Sequence, residues 1–206
     1  IHEVKTALYI AIQNSLNDII KFLLLQCNID VNDSIIFHED DLYEEEDENK
    51  IKTTALFASV EKENVEIVKF LLSFPNIDVN AFPMNKHSAL HLAVEKGNIE
   101  IVKLLLTKED IDVNKYCIYE LDHNGVYLER KEKKTPLYLA VEKENIEIVK
   151  LLITHPNIDI NANCIYEHEI YDNETNINEI NNKIMTMLHF AVDKKNIELI
   201  KLLLSN

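Results

Sequence analysis

Apolar residues along this chain fall in pairs of short runs, each at helical spacing. In TPLYLAVEKENIEIVKLL at 135–152, the first run follows a Leu-x-x-Ala-Val pattern at Leu137, Ala140 and Val141. The second holds Ile146, Ile148, Val149, Leu151 and Leu152, with Glu147 and Lys150 on the opposite side. Thr135 is placed to cap the first helix, and Pro136 sits at its first position, where a missing N–H costs nothing. Neither helix is long enough to persist alone, so each pair must stack on another.

The same unit returns along the chain. It reads TALYIAIQNSLNDIIKFLLLQCNIDVN from Thr6, TALFASVEKENVEIVKFLLSFPNIDVN from Thr54 and SALHLAVEKGNIEIVKLLLTKEDIDVN from Ser88. It comes again as TPLYLAVEKENIEIVKLLITHPNIDIN from Thr135, and a fifth copy, TMLHFAVDKKNIELIKLLLSN, starts at Thr186. Self-similarity at this period predicts a stacked array of helical hairpins. Such arrays bind through an extended surface and seldom hold a catalytic pocket.

SALHLAVEKGNIEIVKLL at 88–105 and TPLYLAVEKENIEIVKLL at 135–152 resemble the ankyrin repeat, whose pattern is T-P-L-H-x-A-A, then G-H, a V-x-x-L-L helix and G-A-D-V-N. The resemblance covers all five units, about two thirds of the chain. It implies an all-α, ankyrin-type helical-hairpin solenoid with β-hairpin fingers between repeats. The expected repeats are residues 5–32, 53–80, 87–114, 134–161 and 185–206, and the chain reads as a single array over 1–206. His91 and His189 occupy the T-P-L-H histidine, which the family uses as a structural hydrogen-bonder between repeats. Tyr9, Phe57 and Tyr138 replace it elsewhere.

Departures from the family pattern carry information. The turn glycine before Asp-Val-Asn is replaced by Asn28, Asn76, Asp110 and Asn157, residue types that tolerate a left-handed backbone. The chain manages with two glycines. Pro75 and Pro156 follow the second helix and stop it. Leu104 is expected on the apolar stripe of a second helix, and Glu100 off it.

Spacing between the leading Thr or Ser residues is 48, 34, 47 and 51, so three connectors carry insertions: approximately 33–52, 115–133 and 162–184. All lie where the family places its hairpin finger. The second insertion has two strand-like runs flanking Asn124-Gly125, a tight-turn dipeptide. Cys164-Ile165-Tyr166-Glu167 copies Cys117-Ile118-Tyr119-Glu120, which predicts duplicated, adjacent fingers. Six of the eight tyrosines fall in connectors: Tyr43, Tyr116, Tyr119, Tyr127, Tyr166 and Tyr171. Tyrosine is enriched at interfaces, yet cross-strand bracing of hairpins uses the same residues. Both readings stay open.

The chain of 206 residues carries net charge −15, and eight carboxylates with no base lie within residues 39–48. A solvated loop is the ordinary form of such a run. An electrostatic lure for a basic protein is the functional alternative, with Tyr43, Glu44, Glu45, Glu46, Asp47 and Glu48 as candidate contacts. Nucleic acid is disfavoured because phosphate binding needs cation density. The cluster Arg130, Lys131, Lys133 and Lys134 is diluted by Glu129 and Glu132. No apolar run is long enough to span a bilayer, and IHEVKT at the start is not a signal peptide. The terminal units look cut from a longer array.

Cys27, Cys117 and Cys164 lack CxxC spacing, which fits a reduced compartment. The expected location is cytoplasmic, with the nucleus left open. Cys117 and Cys164 with His123 and His168 form a weak zinc candidate; small apolar residues opening strands explain the cysteines as well. No phosphate loop, His-Glu-x-x-His or nucleophile elbow occurs. The expectation is a chain with no catalytic residue, cofactor or metal.

What the resemblance implies is a protein–protein interaction scaffold, monomeric or part of a longer array. First-helix surface positions are nearly constant at Glu61-Lys62, Glu95-Lys96, Glu142-Lys143 and Asp193-Lys194, so specificity is expected in the fingers. Tyr119, Tyr127, Tyr166 and Tyr171 join the acidic tip as candidate contacts. A regulatory or targeting segment of a larger enzyme, such as a kinase or ligase, is the alternative; an architectural spacer is the third reading. Asn32, Asn80, Asn114 and Asn161 resemble the asparagine that hydroxylases modify in ankyrin repeats. The simpler reading is that each closes its own turn.

Overall fold

The computed structural model describes residues 2–27, 29–37, 51–81, 87–121, 130–162, 164–171 and 178–205. Ten helices occur among them, in five consecutive antiparallel pairs. They are α1 (His2–Gln13) with α2 (Asn17–Gln26), α3 (Ala55–Glu61) with α4 (Val65–Leu72), and α5 (Ala89–Lys96) with α6 (Ile99–Leu105). After these come α7 (Pro136–Glu142) with α8 (Ile146–Ile153), and α9 (Met187–Asp193) with α10 (Ile197–Leu204). The core is all-α. Three antiparallel hairpins rise from the connectors: β1 (Ser34–Phe37) with β2 (Ile51–Thr54), β3 (Cys117–Leu121) with β4 (Arg130–Lys134), and β5 (Cys164–Tyr171) with β6 (Asn178–Met185). No described helix is long and apolar enough to cross a membrane.

Two compact units divide the chain, 1–111 and 112–206. In the first, α1 packs on α3 and α3 on α5, while α2 packs on α4 and α4 on α6. In the second, α7 packs on α9 and α8 on α10.

Local chemistry explains the first helices. Thr54, Ser88, Thr135 and Thr186 hold extended backbone, and each hydroxyl accepts the N–H three residues on. Thr6 differs. It lies inside α1, because nothing in His2–Lys5 breaks a helix, and Glu3 complements the helix N-terminus.

The second helices share one buried stripe. It falls three, four and seven residues after a capping asparagine: Ile67, Val68 and Leu71 after Asn64; Ile101, Val102 and Leu105 after Asn98; Ile148, Val149 and Leu152 after Asn145. Leu104, expected on this stripe, is only half-buried because it sits one position off it; Leu105 is the fully buried leucine. Glu100 is exposed as expected.

The left-handed residues are not where the sequence reading puts them. Asn76, Asp110 and Asn157 are not among the positive-φ residues, and Asn28 lies outside the described residues. Positive φ occurs instead at Ser15 (53°), Glu63 (53°), Gly97 (71°), Glu144 (54°) and Lys195 (57°), between paired helices. At each, the backbone closes the first helix with two reversed bonds. Glu63 N–H donates to Val60 O, and Asn64 N–H to Ser59 O. This Schellman closure demands a left-handed residue. After the second helix the chain keeps winding through bonds to the residue three back, as Ser73 N–H to Phe70 O and Phe74 N–H to Leu71 O, and needs no such reversal. Only Gly97 takes the left-handed state without steric cost. Gly97→Ala is therefore expected to destabilise by about 1 kcal/mol, and Lys195→Gly to stabilise by about the same, in urea denaturation.

Candidate functional site

Of the candidate contact residues, Tyr119 lies on β3 and Tyr166 and Tyr171 lie on β5. β1 and β2 pair from Ser34↔Thr54 to Phe37↔Ile51, and β1 packs on α1 with Ile35 buried. The acidic stretch it frames, with Tyr43, Glu44, Glu45, Glu46, Asp47 and Glu48, lies outside the described residues. So do Tyr127, His123 and Asn124-Gly125.

β3 and β4 pair from Cys117↔Lys134 to Leu121↔Arg130, and β5 and β6 from Cys164↔Met185 to Tyr171↔Asn178. β4 also pairs with β5, from Lys133↔Ile165 to Arg130↔His168, which joins the two hairpins into one sheet ordered β3-β4-β5-β6. The matching Cys-Ile-Tyr-Glu segments open both hairpins. Their register sets Tyr119, Glu132, Tyr166 and Lys183 in a single cross-strand row. With one strand between them, Tyr119 and Tyr166 stand about 10 Å apart along the hydrogen-bonding direction. Tyr171 lies farther out on β5, past the last residue that β4 pairs. Tyr116, just before β3, is exposed.

The base of this sheet is tied to the helices. Cys117 is buried, with its Sγ 3.2 Å from the Lys134 carbonyl, in keeping with a small apolar residue opening a strand. Lys134 is almost wholly buried, and its Nζ donates to Glu142 Oε1 and Oε2 at 2.8 and 3.0 Å. The same ammonium lies 5.9 Å from the Tyr138 ring centroid. Lys134 thus leaves the surface basic cluster in which the sequence reading placed it. Tyr138 is buried and meets Phe190 edge-on at 5.4 Å. Among the described residues no three His, Cys, Asp or Glu side chains converge as a metal site would require.

His91 and His189 are capping residues. Each Nδ1 accepts the backbone N–H of Ser88 or Thr186 and lies 2.7 or 2.8 Å from the corresponding hydroxyl, completing a capping box. These cap bonds lie within one repeat.

The Asp-Val-Asn turns also work differently from their simplest reading. The aspartate closes the turn: Asp30, Asp78, Asp112 and Asp159 each accept from the N–H two residues on. That geometry is an Asx turn. The asparagine reaches the next repeat instead. Asn32 Nδ2 donates to Asn76 O and its Oδ1 accepts from Asp78 N–H, both at 2.7 Å. Asn80 donates to Asp110 O, and Asn114 bridges Asn157 O and Asp159 N–H.

A second ladder escaped the sequence reading. Asn64, Asn98, Asn145 and Asn196 cap the second helices through Oδ1. Three of them use Nδ2 to reach the preceding repeat: Asn64 to Asn17, Asn98 to Glu63 and Asn196 to Glu144. The signal was available, since each asparagine stands directly before an amphipathic run. Leu16 takes this position before α2 and gives no side-chain cap.

Glu66 accepts from Lys21 Nζ and from Asn17 Nδ2. The Lys21 hydrogen bond, then the Asn17 bond and the Lys21 charge, hold its carboxyl below the ordinary glutamate range. A lowered folded-state value means that the unfolded chain binds the proton more readily. The stabilisation is therefore present above about pH 4.3 and lost as pH falls through the lower folded value. Glu66→Gln should lower the denaturation midpoint at pH 7, and the difference from wild type should vanish in strong acid.

A search of curated proteins finds no match to this chain. Family models do match, and they cover nearly all of it: ankyrin repeats (3 copies) at residues 36–117 and again at 117–206, and a single ankyrin repeat at 5–34. With helical pairs, Thr/Ser caps and Asp-Val-Asn turns all recurring in register, the chain belongs to the ankyrin repeat family.

Proposed function

We propose that this chain is a non-catalytic scaffold that binds a protein partner through its connector hairpins. Ankyrin repeats are in general protein–protein interaction modules and in general non-catalytic. The observation that carries the finer reading is the division of labour along the sequence. The Glu-Lys pairs of successive first helices are nearly identical, while the connectors 33–52, 115–133 and 162–184 differ in length, charge and aromatic content. A partner that reads one copy of a repeated surface cannot distinguish it from the next; a partner that reads the connectors can. Tyr119 and Tyr166 in one register row, with Tyr127 and Tyr171 on the same two connectors and Tyr43 on the first connector, are the aromatic contacts in this reading. The acidic residues 44–48 select a basic partner and speed its approach.

Replacing Glu44, Glu45, Glu46, Asp47 and Glu48 with Ser tests the charge component. The expected result is slower association with a confirmed partner and a flatter dependence on ionic strength, measured by stopped flow. An unchanged rate and salt slope would reduce this segment to a solubilising loop.

A further inference from the structure

One segment, Cys-Ile-Tyr-Glu, opens both β3 and β5, and the strand β4 lies between the two copies. Across the sheet Ile118, Lys133 and Ile165 share one row, Tyr119, Glu132 and Tyr166 the next, and Glu120, Lys131 and Glu167 the third. β4 therefore meets the same segment on each of its edges, antiparallel both times and in the same register. Lysine stands opposite glutamate on both sides, the arrangement that favours a cross-strand pair.

The two copies are equivalent within their own hairpins as well. Cys117 pairs with Lys134 and Cys164 with Met185, each the residue directly before a capping threonine. Backbone directions alternate with period two along a strand. Matching residues of β3 and β5 therefore send matching N–H and C=O groups away from their hairpin partners. On β5 those groups meet β4. On β3 the described residues supply no second strand, and the connector before it, 81–87, carries no insertion. A strand paired on one side only is a template for a further strand.

We propose that the outer edge of β3, at residues 118–121, takes up an extended basic segment of a partner protein as an added antiparallel strand. β4 shows the chemistry of the occupant. Its Arg130-Lys131-Glu132-Lys133 run is what the equivalent edge of β5 accepts, so a lysine-rich segment fits, with lysine across from Glu120. Backbone bonds supply the affinity of such an addition, and the residues opposite Ile118, Tyr119 and Glu120 its selectivity. The net charge of −15 favours approach of the same basic partner. This rests on the reading that partners bind at the connector hairpins, and adds to it the strand and the register.

The probe is an end-blocked peptide with the sequence of residues 129–134, Glu-Arg-Lys-Glu-Lys-Lys, added to the intact chain while amide exchange is followed by NMR. Exchange is expected to slow at those amides of residues 118–121 that β4 leaves unpaired. A peptide of the same composition carrying Glu129→Lys, Lys131→Glu, Glu132→Lys and Lys133→Glu should bind about tenfold more weakly, because it sets glutamate against Glu120. A peptide carrying Lys131→Pro and Glu132→Pro should not bind, since neighbouring N–H groups point to opposite edges and one of the two must face β3. Equal binding by the permuted peptide would reduce the effect to net charge and overturn the proposal. So would an absence of binding at about 1 mM, or slowed exchange on β6 instead of β3. Exchange at residues 118–121 that slows with protein concentration and no peptide also overturns it, because a second copy then covers the edge. Should the peptide fail while loss of the connectors still abolishes partner binding, strand addition falls and the connector reading stands.

Discussion

Leu105→Ala will destabilise residues 1–111 by about 2–5 kcal/mol, the range for deleting a buried leucine. Leu104→Ala will cost clearly less, and Glu100→Ala will stay within about 0.5 kcal/mol. Leu105 is fully buried on a short helix that packs on α4, at the position where Leu71 and Leu152 are also fully buried. A seven-residue helix has little independent stability. Its free energy comes from that stripe, so truncation leaves a void that so short an element cannot close. Urea midpoints for the three variants separate the positions. Equal losses at Leu104 and Leu105 would contradict the stripe at three, four and seven residues from the cap.

Tyr138→Ala will cost about 3–5 kcal/mol in the second unit, as for other fully buried aromatic side chains. The ring fills the space between Phe190 of α9 and the buried Lys134 ammonium at the end of β4. Removing it opens a cavity on one side and strips the aromatic face from a nearly buried cation on the other. Tyr138→His should be milder, because His91 and His189 stand at the equivalent position. Hydrogen exchange adds a second readout. Protection at Lys133 and Lys134 should fall with that of α7, because Lys134 binds the hairpin base to Glu142. Unchanged exchange in β4 would separate the hairpin from the helices.

How much was legible in advance differs by feature, for physical reasons. Caps at Thr54, Ser88, Thr135 and Thr186 were readable because the hydroxyl bond is local and residue-specific. Adjacency of the duplicated fingers was readable because Cys117–Glu120 and Cys164–Glu167 match residue for residue; the β4–β5 register was not, since cross-strand offsets depend on how both hairpins leave their helices. The left-handed position was misplaced. Glycine substitution marks where a family tolerates positive φ, while the Schellman closure that requires it lies between the helices, at side chains as unlike glycine as Glu63, Glu144 and Lys195. Lys134 reads as one more surface cation until Glu142, eight residues on, is seen to hold it. The stripe was off by one at Leu104 because Ile-Val-Lys-Leu-Leu-Leu offers three consecutive leucines, and only the distance from Asn98 chooses among them. Of the candidate contacts, the register brings Tyr119 and Tyr166 into one row, while Tyr43, residues 44–48 and Tyr127 rest on the sequence alone.

The reading that recognition lives in the connectors is tested most directly by removing them. In one variant, residues 33–52, 115–133 and 162–184 would each be replaced by the short connector at 81–87, keeping all ten helices. Its affinity for a protein captured by the intact chain would be measured by calorimetry, with helicity as the folding control. Binding should be lost while helicity is retained. Undiminished affinity in the shortened chain would place the interface on the repeated helical surface and contradict the account.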